Sequence, residues 1–343
     1  MRRRTLIKSS ALFGLGVLGA STFSACTDPN PSANTNIKID TSKNLTPLRV
    51  GVLNWFGCEG MLMADKKDLF TAEGIKVEQK YFASPTEIND LFLAGKLDLA
   101  AMVATDPILL SLKMPDIKTI MLTDYSGDVD GILTNKKITK PEELRGKKIA
   151  REDVPYEIIF LGEFLKLGGM TEKDVQIVSL TAEEGAKAFA AGKVDAAVTY
   201  DPYLGKALKR RKDAHSLFSA KASNIIPNAI VAQAKVIQSR RNDILAYIRS
   251  VDKGLKFSAA NRKEADDLMA KWLAVGLPEI VDQRSKIYIL DIVKNKVDAF
   301  NPSSPLNVES SIRSGGQILL ENGKVKKLAD AATLIDGSLI KSL

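Results

Sequence analysis

One stretch occurs twice in the chain: AGKLDLAAMVATDP at Ala94–Pro107 and AGKVDAAVTYDP at Ala191–Pro202. Each copy follows an apolar-periodic segment (Glu87–Leu93; Glu183–Ala190), stops at Gly-Lys, passes through a short apolar run and ends on Asp-Pro. That pattern spells helix, buried strand, new helix. Its repetition predicts two similar α/β lobes. A crevice between like lobes suits a solute-capturing clamp at least as well as an enzyme. The length agrees, because 343 residues exceed one ordinary domain of roughly 150 residues and can bury two sizeable cores.

The N-terminus predicts export. Arg2, Arg3, Arg4 and Lys8 precede an apolar run, Ala11–Leu18, too short to stay across a bilayer, and small residues lead to Cys26. Arg3-Arg4-Thr5-Leu6-Ile7-Lys8 has the twin-arginine form. Phe23-Ser24-Ala25-Cys26 resembles a bacterial lipobox, with Phe23 where Leu is commoner. The resemblance implies cleavage before Cys26 and acylation of its thiol, a tether that does not span the membrane; a plain signal peptide with an incidental cysteine is the alternative. Residues 26–45, polar and rich in Pro and Asn, read as a flexible spacer.

Loss of residues 1–25 removes four basic groups and no acid, lowering the net charge from +8 to +4. No basic stripe is interleaved with aromatics, and Lys209-Arg210-Arg211-Lys212 reads as a solvated helix end, so no nucleic-acid partner is expected. With Cys26 acylated, Cys58 has no partner. That excludes a disulfide framework and a paired-cysteine metal site and leaves a small buried hydrophobe or, less simply, a reactive thiol.

Along the chain, strands are expected at Leu48–Leu53, Ile75–Phe82, Leu97–Ala104 and Ile117–Thr123. A helix fills Gly60–Glu73, and Ser84 or Thr86 caps another through Leu93. The polar segment Asp124–Asp128 is the expected first crossing between lobes, ahead of a strand at Gly131–Thr134. The second lobe continues with a short Pro-initiated helix that starts at Pro141 and ends at Gly146, a strand at Lys148–Ala150, a helix at Tyr156–Leu167, a strand at Gln176–Leu180, the second repeat, and a strand near His215–Ser219. Asn224–Asn228 is the expected return. From Ile230 the pattern is mainly helical: Asn242–Phe257, Arg262–Val275, Pro278–Val293, Val308–Leu320 and Ala329–Leu339, packing back on the first lobe. The division is residues 46–132 plus 229–343 for lobe 1 and 133–228 for lobe 2.

The order of LFTAEGIKVE at 69–78, AGKLDLA at 94–100, ITKPEELRGKKIA at 138–150 and AGKVDAAVTYDPYL at 191–204 resembles the nitrate/sulfonate/taurine substrate-binding proteins of ABC importers, a set that includes binders of thiamine-pyrimidine precursors. The resemblance covers roughly residues 46–343. It implies a type II periplasmic-binding fold, an α/β architecture of two lobes and two crossovers closing on a ligand. It also implies delivery to a membrane permease with its ATPase, by a monomer that carries no cofactor.

In open α/β sheets a ligand sits beyond the carboxyl ends of strands. Four loops qualify. In the first, Trp55 and Phe56 offer planar faces to a ligand or pack as a lid, with Glu59 at its end. In the second, Thr105 faces the pocket and Asp106 either caps a helix or meets ligand. The third carries Arg151, Glu152, Asp153 and Tyr156 where sulfonate binders of the family usually have a Gly/Ser-rich anion loop; this sequence departs from that pattern. In the fourth, Tyr200 matches a position the family presents to ligand, Asp201 has the same cap alternative, and Tyr203 suits a core. Asp128 and Asp130 on the first crossing and Asn228 on the return complete the candidates. Carboxylates then outnumber Arg151, favouring an amine or aminopyrimidine over nitrate or sulfonate.

An enzyme on the same fold is the rival, and a membrane-tethered sensor a third reading. The single histidine, His215, lies far from any Ser or Cys motif, and no metal-ligand or phosphate-loop motif occurs.

Overall fold

The computed structural model describes residues 46–222 and 226–343. The expected export signal, Cys26 and spacer lie outside the described residues, as do Ser223 and residues 224–225 of the expected return crossing.

The first lobe starts with β1 (Leu48–Leu53), α1 (Glu59–Lys66), α2 (Leu69–Ala72), β2 (Val77–Phe82), α3 (Pro85–Leu93), β3 (Leu99–Val103), α4 (Pro107–Leu110) and β4 (Ile117–Tyr125). The chain then crosses into β5 (Asp130–Asn135), β6 (Lys148–Arg151), α5 (Pro155–Leu167), β7 (Gln176–Ser179), α6 (Ala182–Ala190), β8 (Ala196–Tyr200), α7 (Tyr203–Arg210) and β9 (Ala214–Ser219). It returns through β10 (Pro227–Gln233) to α8 (Ala234–Ser239), α9 (Arg241–Ala260), α10 (Arg262–Leu273), α11 (Leu277–Lys286), β11 (Tyr288–Ile289), α12 (Ile292–Lys294), α13 (Val308–Glu321) and α14 (Ser338–Ser342).

Among the described residues the strands form two sheets, ordered β11-β4-β10-β3-β1-β2 and β7-β6-β8-β5-β9. Apart from the edge strand β11, the sheets are the same design. Parallel strands β1, β2 and β3 correspond to β6, β7 and β8, and in each an antiparallel strand lies between the third and the last. That antiparallel strand comes from across the crossing: β5 follows the first lobe's strands yet lies in the second sheet, and β10 does the reverse. Each sheet is completed only by chain that has left the other lobe, so neither crossing can slip without breaking a hydrogen-bond ladder.

The duplicated stretch builds the middle of both sheets. In each copy a helix stops at a glycine with positive φ, Gly95 at 69° and Gly192 at 72°, which a side chain would strain. The apolar run then becomes β3 or β8, every residue of which is buried. Burial on both faces explains the unbroken hydrophobic run without alternation. Ser84 accepts from the Thr86 amide to start α3, and Thr181 and Glu184 form a capping box on α6.

Several expectations need correction. The helix foreseen over 60–73 breaks at Asp68, whose left-handed φ of 53° separates α1 from α2. The segment from Ile230, read as mainly helical, begins inside β10; a short, fully buried apolar run has no periodicity to separate strand from helix. The helix foreseen over 278–293 ends at Lys286, and the chain then adds β11 beside β4. The last foreseen helix, 329–339, is a tight turn at Ala331–Leu334 followed by α14. Because β5 starts at Asp130 and β10 at Pro227, the chain changes sheet a few residues ahead of the 132/133 and 228/229 divisions.

The C-terminal helices do not pack on the first lobe alone. Gly315 of α13 faces Ile159 of α5 on one side and Thr105 and Ile108 on the other, and a Cβ at Gly162 of α5 would come within 2.6 Å of Ile318. Lys166 pairs with Glu321 at 2.8 Å, Lys324 with Glu172 at 2.7 Å, and Lys209 of α7 with Glu279 of α11 at 2.6 Å. The lobes therefore meet along α13–α5 and α11–α7 as well as at the crossings.

Candidate functional site

The carboxyl ends of β1, β3 and β8 and both crossings converge on one cavity between the sheets, of about 20 Å³, room for roughly one water. From the first lobe its wall includes Leu53, Trp55, Pro85, Met102 and Asp106; from the second, Asp130, Tyr156 and Tyr200; from the crossings, Ser126, Ile226 and Asn228.

Trp55 follows β1 in extended backbone, which throws its indole across the gap. The ring meets Tyr200 edge to face at 5.8 Å and 84°, an aromatic contact between lobes. Its indole N–H donates to Asp124 Oδ1 at 3.1 Å. Asp124, on β4, also accepts from Asn228 Nδ2 at 2.8 Å and the Thr123 hydroxyl at 2.8 Å. Burial still outweighs these donors and pushes its carboxyl up to about 6. A Cβ at Gly57 would stand 1.7 Å from Asp124 Oδ2, so this turn closes on the carboxylate only because residue 57 has no side chain.

Asp106 is fully buried beyond the end of β3. The expected helix cap is not made: the side chain accepts instead from the Tyr156 amide at 3.0 Å and the Val103 amide at 3.3 Å. Tyr156 lies in the first turn of α5, whose amides lack intrahelical acceptors, so this bond joins the lobes through a helix N-terminus. Burial, against those two donors and aided by the charge of Glu152, pushes Asp106 up to about 7.

Asp130 opens β5 and pairs with Tyr200 in the ladder. Its carboxylate takes a hydrogen bond from Ser126, while its Oδ2, buried, has no partner. Burial, then the charges of Asp124 and Asp201, push it up to about 7. The Tyr156 hydroxyl donates to Glu157 Oε1 at 3.2 Å, and burial, then Glu157, raise its pKa well above the ordinary tyrosine value.

Of the residues singled out from sequence, Trp55, Asp106, Asp130, Tyr156, Tyr200 and Asn228 come together in this wall; the others lie elsewhere. Phe56 is buried behind Trp55, under the Arg284 guanidinium at 5.0 Å. Glu59 accepts from Arg284 at 2.7 and 2.8 Å and from the Ser258 hydroxyl, an ion pair inside the first lobe. Thr105 packs its methyl against α13 at Gly315. Asp128 pairs with Ser219 and Lys221 on the outside of the crossing. Asp201 accepts from the Gly205 amide at 2.9 Å at the start of α7 and faces a separate hollow against α11. Glu152 bridges the lobes by accepting from the Ser84 and Thr86 hydroxyls at 2.6 and 2.5 Å, in a groove beside the cavity. His215 lies on β9 with Nε2 2.9 Å from the Ile138 carbonyl oxygen. Cys58 is free and buried, its thiol pushed well up by burial and then by Asp124, which disfavours the reactive thiolate.

Sequence reasoning missed Pro85, Met102, Ser126 and the bracing role of Asp124. The last two sat in the segment read as a crossing, and polar residues inside a crossing were the available signal. Among the described residues no helix is long and apolar enough to cross a membrane, and no cluster of three metal-ligating side chains occurs.

Comparison with known proteins places this geometry. A Bacillus subtilis (strain 168) relative named as an aliphatic sulfonates-binding protein is 24% identical over 307 residues, 87% of this chain and 88% of its own. The solved periplasmic aliphatic sulphonate binding protein SsuA of Escherichia coli superposes with a TM-score of 0.68 at 20% identity, covering 84% of this chain and 92% of that one. The alkanesulfonate-binding protein SsuA of Xanthomonas axonopodis pv. citri, solved with MOPS, gives 0.70 at 15% identity over 85% and 98%. The architecture is thus that of the periplasmic binding proteins, two α/β lobes around a cleft. The family described as NMT1/THI5 like matches residues 55–265, more than half of the sequence, and this chain belongs to that family.

Proposed function

We propose that this protein is the solute-binding component of an ABC import system, capturing a small molecule between its lobes and handing it to a membrane permease without making or breaking a bond. The observation that carries this reading is a cavity walled by both lobes and both crossings. Relatives named for sulfonate binding, and the fold shared with periplasmic binding proteins, support the role.

The mechanism is hinge closure. A cavity of about 20 Å³ admits nothing larger than a water, so the lobes part to admit a solute. Closing then makes contacts across the cleft itself: Trp55 on Tyr200, Asp106 on the Tyr156 amide, and Glu152 on Ser84 and Thr86. A solute touching both walls stabilises the closed form over the open one, and this difference shifts the population. The closed form presents the permease with a surface that the open form lacks.

The N-terminus supports a working place outside the cytoplasm, with a lipid on Cys26 holding a monomeric receptor at the membrane near its permease and ATPase. Cys26→Ala should then move the protein from the membrane to the soluble fraction; continued membrane association refutes the tether. For capture, a thermal-shift screen of sulfonates, nitrate, amines and pyrimidines should reveal a ligand, since a compound at a hundredfold its Kd adds about 2.7 kcal/mol. Tyr200→Ala should keep the fold and weaken that ligand; unchanged affinity removes Tyr200 from the site.

A further inference from the structure

We propose that the captured solute is a small organic cation whose positively charged nitrogen donates a hydrogen bond to the Asp130 carboxylate. This inference rests on the capture reading and adds the charge and the anchoring atom of the ligand.

The polar groups of the cavity can be accounted for one at a time. Asp106 is committed to two backbone amides, Tyr156 and Val103. Asp124, behind the wall, receives three donors, from Trp55, Asn228 and Thr123. Asp130 takes Ser126 and keeps Oδ2 without a partner, although the residue is only 4% exposed. An acceptor buried in this way is costly unless something supplies a donor, and a donor that also carries positive charge offsets the desolvation of the carboxylate.

An anion has no such counterpart. The cavity wall contains no lysine or arginine. Arg151 is spent elsewhere, donating to Glu172 at 2.8 Å, Asp153 at 3.0 Å and the Glu152 carbonyl at 3.0 Å. A sulfonate or nitrate would face two carboxylates with no lysine or arginine among the described lining residues. The aromatic pair Trp55–Tyr200 points the same way, because ring faces attract organic cations.

The approach to the cavity is acidic as well. Ser84, next to the wall residue Pro85, opens onto a groove between the lobes carrying Glu87, Asp90, Glu152, Asp153 and Glu184, again with no lysine or arginine in its lining. In a chain whose basic residues outnumber its acids 49 to 41, this local excess of carboxylate raises the concentration of cations at the mouth.

The test is calorimetry on the protein at about pH 8 with a matched set of probes: n-propylammonium and 1-propanesulfonate, equal in chain length and opposite in charge, with acetamidinium, 4-aminopyrimidine and nitrate. The amine and amidinium arms distinguish two sources of a charged nitrogen, and 4-aminopyrimidine, neutral at this pH, is the N–H-rich control whose tighter binding overturns the charge inference. n-Propylammonium or acetamidinium should bind at least tenfold more tightly than 1-propanesulfonate, nitrate or 4-aminopyrimidine, and Asp130→Asn, which keeps the shape and loses the charge, should weaken that cation at least tenfold. The comparison of probes on the unmodified protein stands even if the variant folds poorly. Tighter binding of 1-propanesulfonate or nitrate overturns the cation inference and leaves the capture reading intact. Failure of every probe to bind overturns both. A bound amine whose affinity is unchanged in a folded Asp130→Asn removes Asp130 as the anchor.

Discussion

Arg284→Met should destabilise the protein without altering the cavity wall. Glu59, its side chain 3% exposed, begins α1 directly after the Trp55–Phe56 turn, and Arg284 of α11 reaches it with two hydrogen bonds at 2.7 and 2.8 Å. The same guanidinium binds Asp266 at 2.5 Å and covers the Phe56 ring at 5.0 Å. Methionine keeps an apolar stem over the ring but leaves the Glu59 carboxylate buried with only the Ser258 hydroxyl and a guanidinium, Arg262, at 3.8 Å. Removing one partner of a buried pair costs about 3–5 kcal/mol because the other charge stays desolvated. Arg284 is 22% exposed at its side chain, which argues for the lower end, about 3 kcal/mol. At roughly 2 °C per kcal/mol for a protein this large, Tm should fall by about 6 °C in calorimetry. Adding Glu59→Gln should recover more than ~1 kcal/mol, since it deletes the stranded charge. A Tm for Arg284→Met within a degree of the parent, or a second substitution that recovers nothing, refutes the reasoning. Weakened ligand binding by Glu59→Gln in an otherwise stable protein would return Glu59 to the site.

Two further outcomes follow from the buried carboxylates and the turn beside them. Gly57→Ala drives a Cβ into Asp124, displacing the partner of Trp55 and Asn228; ligand affinity should drop by an order of magnitude or more with the secondary structure intact, and normal affinity would show that the turn is not braced in this way. Asp106, Asp124 and Asp130, raised to about 7, 6 and 7, hold protons in the folded state that the unfolded chain has already released above about pH 4. Stability should therefore decline as pH rises from about 5 to about 7, by up to ~1.4 kcal/mol per pH unit for each group while only the folded form holds its proton. Glu73 and Asp98, whose carboxyls are lowered by their arginine and lysine partners, act mainly below that window. Melting across pH 5–8 checks the sign; a Tm that climbs through this range contradicts it, and Asp130→Asn should flatten the slope.

Much of the fold was legible because it is written in local pattern. The repeated apolar runs became β3 and β8, the glycines after α3 and α6 stopped both helices, and β1 falls on the foreseen residues. What escaped was long-range. Nothing in Pro227–Gln233 says that a buried apolar run will insert antiparallel between β3 and β4, because that depends on strands more than a hundred residues earlier. Nor does the sequence show α13 lying against α5.

The site divides in the same way. The amino-acid order by itself determined two like-built α/β lobes, the strand ends where a ligand belongs, and the aromatic and acidic residues available there. Only tertiary structure decided which of those acids are used up. Asp106 met the Tyr156 amide, Asp124 met Trp55 and Asn228, Glu59 met Arg284, and Asp130 alone of the lining carboxylates kept a buried oxygen without a donor. The reason is physical. Local spacing sets which backbone a residue sits on, but the partner that satisfies a buried charge is chosen by packing, and packing brings together groups from both lobes that sequence distance does not relate.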